Sequence, residues 1–143
     1  MSSHLREKLE KIEQLLECLV QESSRGILII VEGSKDVQTL RHLGMQGNIV
    51  CAKTGGKSRL DLIGQIEESE AKEVILLFDF DRRGKEWTET VKKHLEKARI
   101  NPNLTFWNNL QALAGREVKD IEGLAAYLET LRRKVGQVQI EKA

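Results

Sequence analysis

Val74-Ile75-Leu76-Leu77-Phe78-Asp79-Phe80-Asp81-Arg82-Arg83-Gly84 runs from an unbroken apolar segment into an alternating acidic one. The apolar part has the length and composition of a strand covered on both faces, as in a parallel sheet. Asp79 and Asp81 alternate, so the spacing predicts two carboxylates one pleat apart, pointing the same way as the strand ends. Glu32-Gly33 closes a second apolar run, Ile27-Leu28-Ile29-Ile30-Val31, in the same manner. With these two strands as neighbours in a parallel sheet, three acids meet at its carboxyl edge, where open α/β sheets bind ligands. Crowded carboxylates repel one another and require a cation, and hard oxygen donors favour Mg²⁺, with Mn²⁺ as a substitute.

Outward from this stretch, strand and helix patterns alternate. Leu5, Leu9, Ile12, Leu15, Leu16, Leu19 and Val20 recur at helical spacing, predicting an amphipathic helix over about 3–22 that Ser23-Ser24-Arg25-Gly26 ends. A helix over about 35–43 carries Val37, Leu40 and Leu43 on one side, and Gly44 stops it. Asn48-Ile49-Val50-Cys51-Ala52 reads as a second strand, and Leu60, Leu62, Ile63 and Ile66 mark a third helix. Beyond the paired aspartates, Trp87, Val91, Leu95 and Ala98 form the stripe of a helix over about 85–98. Asn101-Pro102-Asn103 is expected as a turn, Leu104-Thr105-Phe106-Trp107 as a fourth strand, and the remainder as two helical pieces joined near Gly115. The alternation predicts an α/β fold with about four parallel strands and helices on both faces.

The chain has 143 residues, enough for one compact domain with a real core. Its net charge is only +1, so a nucleic-acid partner must be argued from local clusters rather than bulk charge. Cys18 and Cys51 lie in a helix pattern and a strand pattern, with no CxxC or Cys/His zinc spacing, and are expected as buried free thiols in a reducing cytoplasm. The charged N-terminus lacks the apolar core of a signal peptide, and no apolar run approaches a membrane span, so a cytoplasmic, soluble protein is expected.

Glu32-Gly33-Ser34-Lys35-Asp36, followed later by Asp79-Phe80-Asp81-Arg82-Arg83-Gly84, resembles the Toprim domain family: a glutamate after the first strand, a DxD after the third and a glycine shortly beyond. Thr54-Gly55-Gly56 stands where that family often has a glycine loop. The resemblance covers roughly 26–107 and is nearest to small stand-alone Toprim proteins, related to the Toprim domains of primases, topoisomerases and the 5S ribosomal RNA maturation nuclease. It implies a Rossmann-like core at 26–115, preceded by a helix at 1–25 and followed by a helix and tail at 116–143, all in one compact domain. It further implies that Asp79 and Asp81 bind Mg²⁺, with Glu32 as general acid/base or third metal contact. Such roles suit phosphoryl transfer, in which charge must be neutralised on the phosphate and on the attacking and leaving oxygens.

Gly55-Gly56-Lys57-Ser58 follows a strand and precedes a helix, but a P-loop would need glycine where Cys51 stands. Backbone N–H groups of Gly55 and Gly56 beside Lys57 suit one phosphate at a helix start, and an ordinary turn accounts for them equally. Lys35, Lys53, Lys57, Arg59, Arg82, Arg83 and Lys85 lie on or just after segments leaving strand carboxyl ends and could neutralise phosphates of a nucleic acid, or form only a solvated rim, and Gly33 is expected at a phosphate. Asp120 reads as the N-cap of the last helix, and Glu122 as a first-turn acid. His4, His42 and His94 are expected on the surface, and Phe106, Trp87 and Trp107 in the core.

The sole tyrosine, Tyr127, lies mid-helix, so covalent topoisomerase chemistry is not supported. A metal-dependent nuclease or related phosphotransferase acting on RNA or DNA follows from the intact acid set. The alternatives are a nucleic-acid-binding module that does not cut, and an enzyme of small-molecule phosphates. The leucine stripe of the first helix suits either packing on the body of the chain or a homodimer.

Overall fold

The computed structural model describes residues 2–53 and 59–142, with side chains described over 4–53 and 60–137. In chain order the elements are α1 (Ser2–Ser24), β1 (Leu28–Val31), α2 (Ser34–His42), β2 (Ile49–Cys51), α3 (Arg59–Glu68), β3 (Glu73–Leu76), α4 (Arg82–Lys97), β4 (Asn101–Asn103), α5 (Thr105–Ala114) and α6 (Ile121–Lys142). All three strand pairings are parallel, in the order β2-β1-β3-β4. β1 and β3 are therefore neighbours, with Leu28 opposite Val74 and Ile30 opposite Leu76.

The unbroken apolar runs follow from a sheet covered on both sides. Ile29, Val31, Ile75 and Leu77 point into one core with residues of α1, α5 and α6. Leu28, Ile30, Val74, Leu76 and Phe78 point into the other, against Leu62 and Ile66 of α3 and Val91 and Leu95 of α4. Successive side chains alternate between the two cores, as the pleat requires. No described helix is long and apolar enough to cross a membrane.

α1 buries Leu9, Ile12, Leu16 and Leu19 in the first core and packs against α5 and α6. Its leucine stripe is thus spent inside the chain. A homodimer through this helix would have to use its opposite face.

Three readings of local pattern are corrected. The fourth strand is Asn101–Asn103, and the residues after it are helical. β4 lies at the sheet edge, where Pro102 withholds no ladder bond from a further strand. Asn103 Oδ1 then accepts from the N–H of Thr105 at 3.0 Å and turns the chain into α5. Phe106 and Trp107 have strand propensity, yet with Leu110 and Ala114 they form the buried face of that helix, so packing overrides propensity. Leu60 is 74% exposed and stands outside the apolar face formed by Leu62, Ile63 and Ile66. Cys18 is exposed and Cys51 half-buried; both are free thiols, but neither is fully buried.

Candidate metal centre

The DxD segment does not continue the strand. The β3 ladder ends at Leu76, with one further bond from the N–H of Leu77 to the carbonyl of Ile30 at 2.9 Å. Residues 77–81 then form a loop whose every member is tied to something else. The carbonyl of Phe78 accepts from Trp107 Nε1 at 2.8 Å. The N–H of Asp79 donates to Glu32 Oε1 at 3.3 Å, joining the ends of β1 and β3. The N–H of Phe80 donates to the carbonyl of Lys119 at 2.7 Å. Asp81 caps α4, its Oδ1 accepting from the N–H of Gly84 at 2.7 Å.

Gly84 is required by this geometry. A Cβ there would lie 2.0 Å from the carbonyl oxygen of Asp79, so the first turn of α4 can pack on the loop only if residue 84 lacks a side chain. Gly33, by contrast, would meet nothing if given a Cβ. Its N–H donates at 3.1 Å to Oδ2 of Asp36, which reaches back from the third position of α2. The N–H of Gly33, a residue expected at a phosphate, is thus already occupied.

Asp36 is the acid that sequence reasoning passed over. It is buried beside Glu32, and its carboxyl is pushed upward by burial, against the pull of the Gly33 N–H, with Glu32 adding to the rise. The available signal was its position, three residues after the residue that opens a helix. Glu32 is also buried, with Oε2 3.1 Å from Lys53 Nζ. Asp79 is half-buried, and among the described residues no donor reaches its carboxylate. Burial first, then the charges of Glu32, Asp36, Asp81 and Asp120, push its carboxyl up to about 7.

The expected convergence of three acids is realised in part. Glu32 and Asp79 are joined by a hydrogen bond, and Asp36 completes a buried group with them, whereas Asp81 is exposed and committed to its helix. As placed, no three His, Cys, Asp or Glu side chains among the described residues converge to hold one ion. The donor chemistry nevertheless fits a hard divalent cation. The set consists of carboxylates alone, Lys53 is the one cation paired with it among the described residues, and the mutual repulsion is registered as the raised proton affinity of Asp79.

The basic residues form a looser ring. Lys35 on α2 and Arg83 and Lys85 in the first turns of α4 are exposed. Arg82 is also exposed and pairs with Glu86 at 3.3 Å. Lys53 is turned inward to Glu32 rather than outward to a ligand. Gly55, Gly56 and Lys57 lie outside the described residues, as does the side chain of Arg59. Asp120 is the N-cap of α6, accepting from the N–H of Gly123 at 2.6 Å, as its position in the sequence predicts.

Comparison with known proteins places these residues in a family context. The Toprim domain family model matches residues 27–108, which run from the start of β1 into α5 and include every acid of the site except Asp120. The UPF0292 protein of Methanosarcina barkeri is 37% identical over 131 residues, covering 92% of this chain and 90% of that one. The UPF0292 protein of Methanocaldococcus jannaschii is 33% identical over 123 residues, covering 85% and 93%. A solved structure of a protein from Aquifex aeolicus superimposes with a TM-score of 0.64 at 27% identity, covering 76% of this chain and 94% of that one.

Proposed function

The chain belongs to the Toprim domain family, and from that premise, which points to a metal-binding role connected with nucleic acid, we propose that it is a divalent-metal-dependent nuclease of the cytoplasm. The observation that carries this reading is the Asp79 carboxylate. It is held at the sheet edge beside Glu32, met by no donor among the described residues, and pushed up to about 7 by burial and its acidic neighbours. A group in that condition is stabilised by a cation.

Asp79 and Asp81 would hold the ion, Mg²⁺ or Mn²⁺, with Glu32 within the same cluster. The ion supplies neutralisation of phosphate charge and a more acidic attacking water. Glu32 would serve as the base: a carboxylate oxygen takes a proton from the attacking water as the water oxygen bonds to phosphorus and the ester P–O bond breaks. The leaving oxygen departs with a proton from solvent, and Glu32 then returns its own proton to solvent. Lys53, at 3.1 Å, holds the Glu32 carboxylate in place. Exposed Lys35, Arg82 and Arg83 draw the phosphodiester to the edge and fix its position.

The test is cleavage of labelled structured RNA, single-stranded DNA and duplex DNA with Mg²⁺ or Mn²⁺ and with EDTA. Wild type is expected to cut one class in metal alone, with a loss of about 10²-fold or more in Asp79→Asn and in Glu32→Gln. Metal-independent cutting, or cutting by both variants, would sink the proposal. A second reading, a module that binds nucleic acid without cutting, draws on the engagement of Asp36 and Asp81 with their own helices. It predicts binding that persists in EDTA and no cleavage under any condition.

A further inference from the structure

Beside the DxD loop there is a cleft of about 460 Å³, lined by α5 and the segment joining it to α6. Phe80, whose ring is buried, forms part of its wall, so the cleft shares the loop that carries Asp79 and Asp81. Lys85 enters it from α4, and Arg116 and Lys119 from the α5–α6 segment, with Asn108 and Gln111 between them. Among the described residues that line it, none is acidic. Lys85, Arg116 and Lys119 are exposed, and among the described residues none of the three makes an ion pair. Lys119 is further fixed by its backbone: its carbonyl accepts from Phe80 N–H at 2.7 Å, and its Nζ donates to the carbonyl of Gly115 at 3.0 Å.

Three cations that make no ion pair among the described residues, with two amides and no described carboxylate in a concave site, are matched to an anion with several oxygen acceptors. In a chain whose net charge is only +1, a local concentration of this kind is not a by-product of overall basicity. The neighbouring depression over α1 shows the contrast. It includes Glu7 and Glu117, and Lys8 there is paired with Glu117 at 3.5 Å, so the uncompensated stretch ends at Arg116.

We propose that this cleft binds the phosphodiester backbone of a nucleic-acid strand as it leaves the DxD loop, with Lys85, Lys119 and Arg116 on successive phosphates and Asn108 and Gln111 on sugar or phosphate oxygens. The proposal rests on the nucleic-acid reading above and names the path of the substrate. Contacts of this kind position a strand without reading its bases. Among the described lining residues the one aromatic ring, Phe80, is buried and presents no stacking face, so the cleft contributes affinity and register, not sequence preference.

The experiment is equilibrium binding of fluorescent single-stranded RNA and DNA oligonucleotides to the full chain in EDTA, across a salt series. Wild type is compared with Arg116→Gln/Lys119→Gln, with Arg116→Glu/Lys119→Glu, and with Lys93→Glu as a reversal elsewhere on α4. All the substituted side chains are exposed, and far-ultraviolet circular dichroism checks the fold of each. The neutral pair is expected to lower the slope of log K against log salt by about 1.4, two contacts at roughly 0.7 each for single strands. The charge-reversed pair is expected to weaken binding by roughly tenfold or more, and Lys93→Glu to change it little. Unchanged slope and affinity in both cleft variants would overturn the cleft assignment, while metal-dependent cleavage lost in Asp79→Asn would still uphold the nuclease reading. Absence of binding by wild type at low salt would overturn the cleft assignment alone, the nuclease reading being decided by the cleavage assay with metal.

Discussion

Asp79 shows how one side chain carries the chemical identity of the site. Its carboxyl is raised from 3.8 to about 7, chiefly by burial and then by Glu32, so in the folded chain the neutral form is favoured. The associated stability is fully present below about pH 4 and is lost as pH rises through 7. Without divalent metal, wild type is therefore expected to melt several degrees lower at pH 8 than at pH 5. Asp79→Asn, which keeps the shape and removes the charge, is expected to flatten that dependence and melt above wild type at pH 8. Thermal melts in EDTA across this range decide it; a variant as pH-sensitive as wild type would contradict the assignment. The identities of Glu32, Asp79 and Asp81 were legible in the sequence because each follows an apolar run. Asp36 was legible only as a helix-capping acid, because its burial beside Glu32 depends on how the start of α2 packs at the end of β1.

At the level of elements, the site is a short loop clamped between helices and strands. Residues 77–81 are held by Ile30, Glu32, Trp107, Lys119 and Gly84, contributed by widely separated parts of the chain. A loop fixed in this way can keep carboxylates in place before a ligand arrives. The ends of the helices show a second regularity. α1 and α2 stop with Gly26 at φ 98° and Gly44 at φ 107°. α4 stops with the same pair of bonds, Ile100 N–H to the Leu95 carbonyl and Arg99 N–H to the Glu96 carbonyl, but with Arg99 at φ 62°. A side chain in that left-handed conformation is strained, so Arg99→Gly is expected to stabilise the fold by about 1 kcal/mol. Chemical denaturation reads this directly, and a destabilised variant would refute it. The glycine-ended helices were legible as glycines; the Arg99 turn was not, since nothing in Arg itself signals a helix end.

For the molecule as a whole, two cores on either side of one parallel sheet account for both its stability and the position of its site. α1 belongs to the first core: Leu19 is fully buried there with Ile12, packed against α5 and α6. Leu19→Ala is expected to cost about 2–5 kcal/mol in equilibrium unfolding. A cost near zero would mean that α1 is an appendage and not part of the fold. The sequence by itself determined the alternation of strand and helix from Ile27 to the helix after the paired aspartates, the double-sided burial of β1 and β3, the order of Glu32, Asp79 and Asp81, and the cap at Asp120. Those properties depend on residues a few positions apart, because helix and strand periodicity, capping and burial pattern are local. Only the tertiary structure decided that β1 lies beside β3, so that Glu32 meets the N–H of Asp79, and that Asp81 turns to its own helix. It also decided that Asn101–Asn103 is a strand while the aromatic run beyond it is a helix. Each of these rests on contacts between segments far apart in the chain, where burial and hydrogen-bond partners outweigh the weak preferences of the residues themselves.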